Sequence, residues 1–162
     1  MANEVLIKYG STVNWKESGQ GGTYTWALAS LANNTGRKGP VHDFGATRAG
    51  RYRVRVKVDF NVAATSGAPV GVYLATSDDN SVFDGNLAAG DGAASDVDVL
   101  RQLLFVGNLF ADNVTTTQAA HFEVETGARY VFPVLFNAGG QAFSATATEF
   151  ELALTPVVTE IQ

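Results

Sequence analysis

The sequence predicts an all-β sandwich, on three observations. Residues 51–62 alternate without a break: Tyr52, Val54, Val56, Val58, Phe60 and Val62 are apolar, and the positions between them are charged or polar. Successive side chains of a strand point to opposite faces, so these six residues share one face that must be covered. No helical pattern of matching length is present to cover it, and 17 glycines divide the other apolar runs into short pieces. The cover is therefore a second sheet.

The chain opens with Val5, Leu6 and Ile7 in a strand-like piece, Glu4 to Tyr9, followed by the Gly and Ser-rich tract 18–22. Residues 1–22 are expected to form an extended arm on a hinge, with the sandwich domain over 23–162. Thr23 to Leu31 reads as the first sandwich strand and stops at the turn signal Asn33-Asn34-Thr35-Gly36. Val41 to Phe44, led by Pro40, suits an edge. Ala49-Gly50 turns into the alternating strand. After a connection over 63–69, Val70, Val72 and Leu74 mark a fourth strand. Residues 77–98 hold six aspartates among glycines and alanines and are expected to form a long acidic loop outside any core. Val99 to Val106 and Ala119 to Glu125 read as strands. Ala128 to Asn137 is apolar on both faces, as expected of a central or covered strand. Ser144 to Thr155 places Phe150, Leu152 and Leu154 opposite Glu149, Glu151 and Ala153.

These make about eight antiparallel strands at Greek-key spacing, which suggests a jelly roll. The charges agree with that topology. A jelly roll sets the third strand between the sixth and the eighth, so Arg51, Arg53, Arg55 and Lys57 would face Glu123, Glu125, Glu149 and Glu151 on the neighbouring strands.

At 162 residues and 46% hydrophobic content the chain suffices for one domain with a sizeable core. No run of about 18 apolar residues could span a membrane, and the start lacks the basic and apolar build of a secretion signal. A soluble protein made in the cytoplasm is expected. A net charge of −5 weighs against a nucleic-acid partner. With no cysteine, disulfides and thiolate metal sites are excluded.

Catalytic chemistry finds little to stand on. Only His42 and His121 could serve a triad, and no nucleophile elbow, phosphate loop or zinc helix motif is present. The expectation is a protein without a catalytic group. Ser77 to Gly85 clusters oxygen ligands but departs from the spacing of a calcium loop, so no metal or cofactor is assigned. A solvated loop, with Asp78 and Asn80 making local turns and Phe83 anchoring it, accounts for the same residues. The basic row on residues 51–57 could meet a polyanion, but cross-strand pairing explains it better. Trp15 has polar neighbours and is expected to be an exposed anchor for a partner.

The opening Ala2 to Ser11, then Leu28-Ala29-Ser30-Leu31-Ala32 with Arg37 shortly after, resembles small virion proteins of tailed bacteriophages. The resemblance continues through the basic and apolar strand and the Ser-Asp loop 77–85. It implies a head decoration, or cement, protein: a jelly-roll module on the virion that clamps the major capsid protein and binds copies of itself as a trimer or dimer. The partner-binding residues would be Val5, Leu6, Ile7, Tyr9 and Trp15, with residues 10–22 spanning roughly 20 Å as a flexible spacer. The alternative is a glycan- or receptor-binding jelly roll of a tail or fibre, using exposed Trp15 or Phe83.

Overall fold

The computed structural model describes residues 5–146 and 150–161. Among them are twelve strands: β1 (Val5–Tyr9), β2 (Val13–Lys16), β3 (Tyr24–Thr25), β4 (Thr35–Lys38), β5 (His42–Asp43), β6 (Arg51–Val58), β7 (Pro69–Ser77), β8 (Gly92–Ala93), β9 (Leu104–Phe110), β10 (Gln118–Glu125), β11 (Tyr130–Asn137) and β12 (Glu151–Ile161). One helical turn, α1 (Val97–Leu100), lies between β8 and β9. The strands form two packed sheets. The first runs β10-β6-β12-β2-β3, with β1 on the far half of β12; the second runs β8-β4-β11-β7-β9, with β5 on β11. Pairing is antiparallel except between β2 and β3.

The alternation of β6 does what its period dictates. Tyr52, Val54, Val56 and Val58 are buried against Val70, Val72 and Leu74 of β7 and Val131 and Leu135 of β11, in one core shared by both sheets. Each such aliphatic side chain contributes about 2 kcal/mol by leaving water. As the charges require, β6 lies between β10 and β12. Arg53 pairs in register with Glu123, Arg51 with Glu125 and Lys57 with Glu151; Glu149 falls outside the described residues.

Strand β11 is apolar on both sides because both sides are covered. Val131 and Leu135 enter the main core, while Phe132 and Val134 enter a second cluster with Phe83, Ala94, Leu100 and Leu103. The acidic segment 77–98, expected outside any core with Phe83 as its anchor, lies as a lid on the second sheet with Phe83 buried in that cluster. Most of its aspartates face water, while Phe83, Leu87 and Ala94 pack into the cluster on β11. Pro133 is tolerated within this central strand because its carbonyl accepts from Gly39 at 2.8 Å where the neighbouring chain breaks between β4 and β5, so its missing N–H interrupts no ladder there.

Three further expectations are revised. Val13–Lys16 is a strand of the first sheet, so residues 10–22 are not an open tether; a period-2 pattern only four residues long is too short to read against flanking Gly and Ser. Thr35–Lys38 pairs with β11, where the sequence shows a turn signal. Residues 99–106 divide between α1 and β9 because Asp96 caps the turn, its side chain accepting from Asp98 N at 2.9 Å. The two sheets come together at β9 and β10, where Gly107 leaves room for the Phe122 ring; a Cβ there would overlap that ring.

Candidate functional site

The outer face of the first sheet and the ribbon that extends it carry the unpartnered chemistry of this chain. Strand β12 is eleven residues long and outruns its neighbour β6, whose pairing ends at Arg51 with Val157. Beyond that point the partner of β12 among the described residues is β1, in register from Tyr9 with Val157 to Val5 with Ile161. Strands β1 and β2 follow one another along the same side of β12, joined where Gly10 N donates to Pro156 O at 2.9 Å and the Thr12 and Thr155 hydroxyls share a hydrogen bond of 2.8 Å. Pro156 marks the exit from the sandwich.

Among the described residues the result is a two-stranded ribbon with both long edges unpaired. Two strands alone are marginal in water. Ile7 and Tyr9 point to one face and are 58% and 60% exposed, and Val158 on the other face is 42% exposed. Leu6 is half-buried, and Val5 is placed by its backbone pairing, its side chain lying outside the described residues.

Trp15 is corrected. It is 0% exposed, stacks on Tyr24 with ring centroids 5.6 Å apart, and donates its Nε1–H to Pro40 O at 2.7 Å. Its polar neighbours Asn14 and Lys16 misled because period 2 puts them on the opposite face, toward water. Phe83 is also buried, so neither aromatic is a platform for a sugar.

On the solvent side of β6 the cations are held unequally. Arg55 Nη2 donates to Glu151 Oε2 at 2.6 Å, Lys16 Nζ stands 3.7 Å from the same carboxylate, and Arg51 lies 3.8 Å from Glu123. Arg53 is exposed and makes no ion pair among the described residues. It borders a recess of about 300 Å³ between β6, β10, β12 and the β1 to β2 junction. Sequence reasoning saw the basic row but not this recess, because its walls come from segments more than a hundred residues apart.

The histidines lie on different sheets. His121 on β10 faces the recess. His42 on β5 sits edge-on to Phe44 and Tyr24, with ring centroids 4.8 and 5.7 Å away, and its Nδ1 is 3.0 Å from the Tyr24 hydroxyl. Burial pushes the His42 imidazole below its ordinary range, against the pull of neighbouring Asp43. Asp43 is held down to about 2, chiefly by the Arg129 guanidinium, which donates to both its oxygens at 2.8 and 2.9 Å, and then by Gly45 N–H.

No three His, Asp or Glu side chains converge on a metal-sized point among the described residues. In the 77–85 loop the turns are made by Asp79 and Asp84, rather than by Asp78 and Asn80. Asp79 accepts from Ser77 Oγ and from Ser81 N and Oγ, and Asp84 accepts from Thr76 N and Oγ1. Those donors, Ser81 foremost, hold the Asp79 carboxyl well below the usual carboxylate range. No protein-family model matches the chain, and a search of curated proteins returns no significant match.

Proposed function

We propose that this chain is a structural protein of a tailed-phage virion, a jelly roll that decorates and stabilises the assembled capsid. The observation that carries the proposal is the ribbon of β1 and β12: it projects past β6, keeps two open backbone edges and leaves Ile7, Tyr9 and Val158 exposed. An open edge beside exposed apolar side chains is the geometry that adds a strand to a neighbour's sheet. The jelly-roll assignment is supported by the strand order, in which β12 separates β6 from β2 and β11 separates β7 from β4, strands far apart in sequence thus becoming neighbours.

On this reading the partners are the major capsid protein and further copies of this chain, as a homotrimer or homodimer, with no role for a nucleic acid or a membrane. The spacer no longer sets the reach; the ribbon does, because β2 is fixed in the sandwich. Each ribbon contact is weak, with a main-chain hydrogen bond worth about 1 kcal/mol net, and repetition on a lattice multiplies the effect through effective concentration. The glycan-binding alternative loses the two aromatics expected to serve it, since Trp15 and Phe83 are both buried.

The test is co-sedimentation of the full-length Ile7→Asp, Val158→Asp double variant with heads of the encoding phage that lack the protein. Both side chains are exposed, so the urea midpoint should hold while bound copies fall by about tenfold, the effect of losing about 1.4 kcal/mol. Undiminished binding, together with unchanged heat resistance of the decorated heads, would remove the ribbon from the mechanism.

A further inference from the structure

The ladder on the outer face of the first sheet is short of carboxylates at its centre. In register, Arg51 stands between Glu125 and Val157, and Lys57 between Ala119 and Glu151. The middle pair differs. Arg53 stands between Glu123 and Thr155, and Arg55 between His121 and Ala153. Glu123, the register partner of Arg53, lies 3.8 Å from Arg51, and Glu151 is taken by Arg55 and Lys16, so Arg53 makes no close ion pair among the described residues. On the β12 side the centre of the row faces the small neutral residues Ala153 and Thr155, while on the β10 side Glu123 stands opposite Arg53.

Those small residues create depth. Ala153 and Thr155 form part of the wall of the 300 Å³ recess, and Arg53, Arg55 and His121 form its cationic and imidazole side. Tyr9 and Thr12 complete the lining from the opposite side, and Glu123 borders an adjoining hollow that shares Tyr9, Arg53 and His121.

We propose that this recess binds an oxyanion, a carboxylate or phosphate group, with Arg53 as its principal contact. A guanidinium offers two parallel N–H donors that match the oxygens of either group, and charge-assisted bonds of this kind are about twice as strong as neutral ones. The imidazole of His121, the Tyr9 hydroxyl and whichever of the mutually bonded Thr12 and Thr155 hydroxyls keeps a free proton add donors around it. The chain as a whole carries a net charge of −5, so the attraction is local to the recess and suits one small group rather than a polyanion. The site is independent of the capsid role proposed above and stands or falls without it.

The test is an NMR titration of the full chain at constant ionic strength, with sodium acetate in one arm, inorganic phosphate in another and sodium chloride as reference. Saturating shifts are expected at His121 and at the Arg53 Nε–H, larger in acetate or phosphate than in chloride. Tighter acetate binding assigns the site to carboxylates, and tighter phosphate binding assigns it to phosphates. Arg53→Gln should weaken the tighter anion by about tenfold or more, the loss of one charge-assisted bond. Arg101→Gln, whose cation is paired with Asp98 on α1, should leave the affinity within about twofold, since one exposed charge at that distance is largely screened. Ala153→Leu keeps every charge and fills the recess, so it should abolish saturation. Linear shifts spread over the surface cations, or an affinity indifferent to both Arg53→Gln and Ala153→Leu, would overturn the assignment.

Discussion

Arg55 and Glu151 meet across the β6 and β12 ladder at 2.6 Å, the Glu151 side chain 6% exposed and the Arg55 side chain 43% exposed. The asymmetry sets the consequence of breaking the pair. An arginine that keeps access to water can be resolvated, so the penalty is smaller than for a fully buried pair. Glu151→Ala is expected to destabilise by about 2 kcal/mol, since Arg55 and Lys16 both lose their acceptor, and Glu151→Gln by about half of that. Urea denaturation of the two variants checks the ranking; a neutral Glu151→Ala would show the pair to be ornamental.

Trp15 should behave as a core residue and not as a partner anchor. Trp15→Ala removes a fully buried ring and is expected to cost about 3–5 kcal/mol. Trp15→Phe keeps most of the packing but leaves Pro40 O without its donor, a loss of about 1 kcal/mol. Native emission should be blue-shifted and resistant to iodide, because Trp26 is buried as well.

Asn137 is a buried hub at the end of β11. Its Nδ2 donates to Leu31 O at 3.0 Å and Gln141 O at 2.8 Å, and its Oδ1 accepts from Gly139 N at 3.0 Å. Asn137→Ala strands these backbone groups, so a destabilisation of about 2–3 kcal/mol is expected, visible as accelerated amide exchange at Gly139.

Acid should weaken the fold in two steps. The folded His42 value lies below its ordinary 6.5, so the unfolded chain takes the proton first. Its contribution is whole above 6.5, declines as the pH falls toward the lower folded value, and then levels off. Asp43 is held at about 2 against an ordinary 3.8; its contribution is whole above 3.8 and is lost as the pH falls through about 2. His42→Gln, which keeps a side-chain acceptor for the Tyr24 hydroxyl but does not titrate, should erase the upper step, and Asp43→Asn should shrink the lower one, to which the depressed Asp79 also contributes. Urea midpoints measured from about pH 8 to about pH 2 decide it.

Gly36 should be intolerant of any side chain. A Cβ there would overlap the Ala94 carbonyl oxygen, and Ala94 N donates back to Gly36 O at 2.9 Å. Backbone cannot step aside as a flexible side chain can, so Gly36→Ala is expected to cost about 2 kcal/mol, within the range of core overpacking. The loss should appear first as faster proteolysis within 77–98, the segment this contact pins to the second sheet.

The sequence by itself determined the sandwich, the inward face of β6 and its place between β10 and β12, because strict alternation and opposite charges on neighbouring strands are local patterns with one satisfactory solution. It also marked β11 as covered on both sides. Only the tertiary structure decided what covers it: Phe83, Leu100 and Leu103 are scattered through a polar stretch, and their common destination becomes visible once the chain has folded back. The same holds for Trp15, whose polar neighbours face the opposite way, and for Arg53, which has a glutamate on its β10 side but Thr155 on its β12 side, in a strand a hundred residues later. Periodicity is written residue by residue along the chain, whereas burial and pairing belong to strands that meet only through the long-range register, and that register sets which surface is left open.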